Sequence, residues 1–335
     1  MRKHIDNVQP ATVKEHYDLI MNDVSEIDYE HYEVTPKDLP DWYDEKLCKL
    51  SQDFCLRNIF SFITANTIGV IILFAIPSIS KVLSHTKQGN TPYLAYMRYY
   101  RTMLYVIDMH TYNMGDPESK FYKAIKTIRF KHAWGNNKAK KNNSGAIYQK
   151  DMAITQFAFI GHLLCMSESF GVHFKPEEEK AFIHFWRVVG HILGISDRIN
   201  ICRKSVAETR ELLQMIIDKF SEYLSDPSPE FDELLEPMLS GLWYGNLSVN
   251  QETLLTFTYR FYNVKREVPL GWYSWLNMKY HEIVFRLLLV PYIGPILKIF
   301  INQITFMTIF FVRYLPLIAW ISFGKKKSQI VLYPK

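Results

Sequence analysis

From Tyr93 to Leu224 the apolar residues recur at the three- and four-residue spacing of a helix, and nothing there demands a strand. Leu94, Met97, Leu104 and Ile107 form one such face, before a turn at Gly115-Asp116-Pro117. Ser119 to Trp134 reads as a second helix, closed by Gly135-Asn136-Asn137 and followed by an exposed loop over Lys138 to Ser144. Asp151 is expected to cap a third helix running through Thr155, Phe159 and Leu163 toward Gly171. Pro176 followed by Glu177, Glu178 and Glu179 opens a fourth, because proline suits the first turn and carboxylates suit the positive end of the helix dipole. Its apolar face continues through Phe182, Phe185, Val189 and Leu193. The expected class is all-α: one helical domain with a hydrophobic C-terminal tail.

The boundaries follow from shifts in composition. Residues 1–45 are acidic, rich in tyrosine and broken by Pro10, Pro36 and Pro40, which suggests an arm lying over the domain. Asp6, Glu15, Asp18, Asp23, Glu26 and Asp28 interrupt any apolar run there, so a secretory signal is not expected. Residues 46–280 form the expected helical domain. Within it, Asn58 to Ser80 is an uncharged run of spanning length, and hydropathy alone leaves open a bilayer crossing or a central core helix. Residues 281–335 are expected to associate with a membrane. Phe285 to Leu297 is apolar apart from Arg286, Pro291 and Pro295, and Ile299 to Phe323 is apolar except for Arg313 and Pro316. Lys325-Lys326-Lys327 then resembles a cytosolic flank, which fits an intracellular membrane such as the endoplasmic reticulum.

The formal net charge of +5 comes from dispersed residues, so nucleic acid is not an expected partner. Cys48, Cys55, Cys165 and Cys202 lack paired spacing and read as reduced thiols. Among eleven histidines there is no His-Glu-x-x-His, no Glu-x-x-His and no zinc-finger spacing. Gly-x-Ser-x-Gly, P-loop and Gly-x-Gly-x-x-Gly patterns are absent too. A cofactor needing a single protein ligand stays open, and haem is one, because its porphyrin supplies four nitrogens. Arg129 and His132 lie at i and i+3 and share a helix face. A packed core histidine would look the same.

Four segments in order narrow the choice: Arg98-Tyr99-Tyr100-Arg101-Thr102; Ile128-Arg129-Phe130-Lys131-His132-Ala133; Gln149-Lys150-Asp151-Met152-Ala153-Ile154-Thr155; and Phe185-Trp186-Arg187, continuing to Gly190-His191 and Gly194-Ile195. Together, over about Phe74 to Ile195, they resemble the latex-clearing protein (rubber oxygenase) and ER-bound oxygenase family. The resemblance implies an all-helical domain binding one haem b, with His132 as the proximal iron ligand. It implies that Arg98 and Thr102 lie over the haem where dioxygen and a hydrophobic substrate meet, with Thr155 in the same pocket and Arg101 beside them. Arg129 is expected to pair with a propionate. Two positions depart from the pattern: Arg101 stands where rubber oxygenases carry a distal lysine, and the upstream glutamate has no counterpart near Lys81, Val82 and Ser84. A guanidinium stays protonated and is a poor metal ligand.

The implied activity is a haem-dependent oxygenase that uses dioxygen on a hydrophobic, unsaturated or prenylated, lipid-like substrate at a membrane. Two other readings stand beside it: a haem sensor or peroxidase-like protein, favoured by Arg101, and a non-enzymatic helical membrane protein with Asn58 to Ser80 as a span. His110, His162 and His184 are expected to be packed, His191 to be a structural donor, and Gly190 and Gly194 to permit close helix packing.

Overall fold

The computed structural model describes residues 5–27, 32–266 and 268–333, so Asp28 and the extreme ends of the arm and tail lie outside the described residues. The chain forms α1 (Val13–Asn22), α2 (Glu45–Arg57), α3 (Ile59–Leu73), α4 (Pro77–Thr86), α5 (Pro92–Thr111), α6 (Lys120–Lys141) and α7 (Gln149–Cys165). It continues through α8 (Pro176–Ile192), α9 (Val206–Ser225), α10 (Glu230–Trp243), α11 (Gln251–Phe261) and α12 (Trp272–Leu289). It ends with α13 (Ile293–Tyr314), α14 (Leu317–Phe323) and α15 (Lys325–Ser328). Among the described residues no strand forms, and a single isolated bridge joins Glu26 to Tyr148. The fold is all-α.

The ambiguous run Asn58 to Ser80 becomes α3 and the first turn of α4. Helix α3 turns 92° away from α2 and sinks into the core, with Ile59, Phe62, Ala65, Ile68 and Ile72 buried. The run is a core helix here, and the membrane-protein reading that used it as a span loses that support. Gly69 is what lets α3 cross α7 so closely. A Cβ there would stand 2.2 Å from the Ala158 carbonyl oxygen and 2.7 Å from its Cα. Gly69→Ala is therefore expected to destabilise the fold by about 3 kcal/mol of overpacking, against roughly 1 kcal/mol regained in helix propensity. A urea midpoint equal to that of the wild type would show that the two helices separate freely.

Several local expectations need correction. Helix α6 does not stop at Gly135-Asn136-Asn137 but runs to Lys141, absorbing most of the expected loop. Asn136 is buried, and its Oδ1 accepts from the Ile147 amide at 2.7 Å, so a residue that reads as a stop is a tertiary anchor. Lys138, Lys140 and Lys141 then occupy the last turn, where cations complement the helix dipole. Asp151 sits one turn inside α7, accepting from the Tyr148 amide at 3.2 Å and the Ser78 hydroxyl at 2.7 Å. Gly190 does serve close packing, since a Cβ would lie 2.6 Å from Gln156 Nε2. Gly194, with φ +91°, instead ends α8 in the left-handed region that favours glycine. His191 Nδ1 lies 2.7 Å from Asp197 Oδ1, a structural contact.

The arm is fastened by arginines from the middle of the chain. Arg187 pairs with Asp6 at 2.9 Å, Arg198 pairs with Asp23, and Arg203 reaches His16 Nδ1 at 3.0 Å and the Pro10 carbonyl at 3.1 Å. At the other end, the tail is fastened to α5. Tyr96 and Tyr105 donate to the carbonyls of Ser328 at 3.2 Å and Leu332 at 2.9 Å. Asp108 accepts from Arg313 at 2.5 Å and from the Tyr333 hydroxyl at 2.7 Å. Helix α13 is also tied near its start, where Lys298 donates to Asn58 Oδ1 at 2.8 Å and Asn302 Nδ2 to the Arg57 carbonyl at 2.7 Å. By length and composition, Ile293–Phe323 is long and apolar enough to cross a membrane.

Candidate active site

Two adjacent helices carry five of the expected site residues. Arg98, Arg101 and Thr102 lie on α5, Arg129 and His132 on α6, and α5 packs against α6. Thr155 lies on α7. The end of α8 holds α6 and α7 in place, because Arg129 Nη1 donates to the Ile192 carbonyl at 2.9 Å and Gln149 Nε2 to the Gly194 carbonyl at 2.9 Å. Arg129 thus spends one guanidinium nitrogen on a helix end, a use the motif did not reveal.

His132 is half-buried over the whole residue, but its Nδ1 is closed to solvent. Burial first, then the charges of Arg98, Lys131 and Arg129, lower its pKa from 6.5 to about 4. The imidazole is therefore neutral at pH 7 and keeps a nitrogen lone pair, the form a metal ion requires. Lys131 shares this environment. Although exposed over much of its length, its ammonium is lowered to about 8 by desolvation and then by Arg101 and Arg98, and it lies 3.4 Å from the Tyr105 hydroxyl.

Positive charge dominates the cluster among the described residues. Arg98, Arg101 and Lys131 form no ion pair there, and Arg98 Nη1 and Arg101 Nε are buried without a hydrogen-bond partner. Such nitrogens are costly in a dry site, so the arrangement suits a ligand that brings its own anionic oxygens. A metal held at His132 would also have to bring most of its coordination sphere, because no group of three His, Cys, Asp or Glu side chains converges among the described residues.

Thr102 donates its hydroxyl hydrogen to the Arg98 carbonyl at 3.0 Å and so offers the site only acceptor lone pairs. The Thr155 hydroxyl makes no hydrogen bond among the described residues. Thr155 is half-buried, as is Phe159 one turn later, while the other residues of α7 from Asp151 to Leu164 are buried. Phe159 stacks on Trp186 at 5.2 Å, and Trp186 Nε1 is buried with no partner among the described residues. The structure therefore brings His132, Arg98 and Arg129 together and adds Arg101 through Lys131, while Thr155 shares a half-buried stripe of α7 with Phe159. The participation of Lys131 was not read from the sequence. Its only signal was a cation next to His132 on a helix already carrying Arg129.

The histidines expected to be packed have structural partners. His110 Nδ1 donates to the Val106 carbonyl at 2.8 Å, His162 Nε2 lies 3.0 Å from the Tyr262 hydroxyl, and His184 Nε2 accepts from the Asp44 amide at 3.0 Å. A surface depression of about 360 Å³, lined by Leu19, Asn22, Asp23, Val24, Ser25 and Arg198, contains none of the site residues.

Comparison with known proteins follows this geometry. The family described as ER-bound oxygenase mpaB/B'/rubber oxygenase, catalytic domain, matches residues 56–279, a span that contains every expected site residue. Among solved structures, the chain is similar to the latex clearing protein LCP in its closed state, with a TM-score of 0.59 and 14% sequence identity over 89% of this chain and 85% of that chain. At that identity the likeness concerns the fold. No curated protein matches the chain.

Proposed function

Because the chain belongs to the ER-bound oxygenase and rubber oxygenase catalytic-domain family, we propose that it is a haem b-dependent oxygenase that uses dioxygen to oxidise a hydrophobic, lipid-like substrate at a membrane. The observation that carries this reading is the neutral His132 among Arg98, Arg129 and Lys131, with no carboxylate paired to Arg98, Arg101 or Lys131 among the described residues. That donor set fits a haem: one imidazole for iron and unpartnered guanidinium nitrogens for two propionates. When bound, the haem would supply the redox chemistry of dioxygen activation.

The remaining roles belong to the chain. His132 would hold iron with an uncharged nitrogen, which burial first and then the surrounding cations keep unprotonated. Arg98 and Arg101 offer fixed positive charge to carboxylate or to negative charge that develops during reaction. Arg129 positions the His132 turn through its bond to the Ile192 carbonyl. Thr102 presents lone pairs, and Thr155 with Phe159 gives a mainly apolar wall suited to an unsaturated or prenylated chain. The proposed location is an intracellular membrane. The endoplasmic reticulum fits because the family description is ER-bound and Ile293–Phe323 is apolar enough to enter lipid.

The test is the absorption spectrum of the purified protein beside His132→Ala, with circular dichroism to confirm that the variant is helical. A Soret band is expected in the wild type and a loss of about tenfold or more in haem affinity in the variant, the scale of removing a metal's surroundings or greater. A colourless wild type that takes up no added haem removes the cofactor from the reading. Haem retained with an unchanged spectrum in the variant moves the ligand to another residue.

A further inference from the structure

Helix α13 is amphipathic in the reverse of the usual sense. Its polar residues Lys298, Asn302 and Arg313 face the body, interleaved with buried Ile301, Ile309 and Val312. The opposite stripe is open to solvent and apolar apart from Gln303, with Ile296 61%, Phe300 65%, Ile304 62% and Met307 57% exposed. A soluble domain buries the apolar face of a surface helix, so this stripe needs a nonaqueous neighbour. Trp272, Trp275 and Tyr280 on α12, which packs against α13, and Ile321 on α14 are exposed as well. Tryptophan and tyrosine favour the level of lipid headgroups, with one edge apolar and one polar.

Charge names the neighbour. From Ile283 to the end of the chain there is no Asp or Glu, while Arg286, Lys325, Lys326 and Lys327 are exposed in the same stretch of chain. We propose that α12 to α14 seat the protein flat on an anionic lipid bilayer, with α13 lying in the interface and not crossing it. This rests on the membrane association proposed above and specifies its geometry. Beyond the first turns of α12, the region lies outside the family match, which ends at residue 279.

Packing argues against a crossing. A helix of 22 residues is about 33 Å long, enough to traverse hydrocarbon, but α13 is bonded to the body near both ends. Lys298 meets Asn58 beside the Arg57–Glu178 ion pair, and Arg313 meets Asp108 beside Lys120. An upright α13 would pull those charged groups into hydrocarbon or break both attachments. Lying flat keeps the attachments and submerges only the apolar stripe.

The test uses the full chain, translated in a cell-free reaction containing preformed vesicles of phosphatidylcholine and phosphatidylserine. Flotation is followed by labelling with a membrane-impermeant maleimide in Glu118→Cys, on the body, and Lys326→Cys, at the far end of the tail; the unsubstituted protein sets the background. The expected result is flotation with both cysteines labelled equally before and after detergent lysis. Protection of one of them until lysis overturns the flat seating while membrane association stands. No flotation overturns both, and a dimer found by sedimentation in that case makes a second copy the occupant. Replacing Lys325, Lys326 and Lys327 together by alanine is expected to weaken binding to the anionic vesicles about a hundredfold. Phe300→Glu with Ile304→Glu is expected to weaken it about tenfold or more. Equal binding to phosphatidylcholine alone overturns the role of charge.

Discussion

Acidification from pH 6.5 to pH 4 is expected to unfold the protein without any change in sequence. His16, His110 and His162 are buried, and desolvation lowers their pKa values from 6.5 to about 4, 4 and 3. Arg203 adds to the effect at His16. In the unfolded chain these imidazoles bind protons near their ordinary pKa, whereas in the fold they refuse them until lower pH. Their contribution is fully present above 6.5 and is lost as pH falls through the window toward 4. Each refused proton costs about 1.4 kcal/mol per pH unit, so three cost roughly 4 kcal/mol per unit, against a total stability of about 5–15 kcal/mol. Asp23 and Glu282, held below the usual carboxylate range, act in the same direction at lower pH, while the raised Asp151 opposes them. The measurement is the free energy of urea unfolding across this pH range. His110→Phe is expected to remove one proton from the slope, since the ring lies 4.7 Å from Phe62 and 4.6 Å from Phe185. A free energy flat across the window would mean that these rings take up protons inside the fold.

Asp108→Ala is expected to cost about 3–5 kcal/mol, the usual loss when one partner of a buried ion pair is removed. The Asp108 side chain is 1% exposed and that of Arg313 17%, so alanine leaves a guanidinium with little water and no carboxylate. The Tyr333 hydroxyl loses its nearer acceptor as well and keeps only the Lys120 carbonyl at 3.4 Å. Asp108→Asn keeps the size and one acceptor oxygen and is expected to lose less. Asp108→Leu with Arg313→Met removes both charges and is expected to fall nearer the wild type than alanine does. The variants are compared by urea unfolding and by trypsin cleavage at Arg313 and Lys325 to Lys327, which should accelerate as α13 lifts. A change below about 1 kcal/mol, the value of an exposed pair, would show that water reaches the contact.

Helical periodicity made the helices between Tyr93 and Leu224 legible, because each face meets the same core at every turn. The end of α6 was not legible. Gly135 and Asn136 are stop signals locally, and only the bond from the Ile147 amide to Asn136 makes them interior to a helix. Hydropathy failed at Asn58 to Ser80 for a related reason: a central helix and a membrane span share composition, and only the crossing of Gly69 with Ala158 separates them. Arg98, Arg129 and His132 could be picked out as motifs, and the fold brings them together. Arg129 gave no sign of its bond to α8, nor Lys131 of its depressed ammonium, because both depend on helices distant in sequence. Averaging around α13 likewise hid its polar inward stripe.

The hydroxyls of Tyr96 and Tyr105 give the last described residues a mechanical meaning. They stitch α5 to the Ser328 and Leu332 carbonyls, while Arg98 and Arg101 project from the same rod. A version shortened at Gly324 to improve solubility would shed more than its grease. It would strip the splint from the rod that aims those two guanidinium groups, and catalytic silence in such a fragment would say nothing about the intact enzyme.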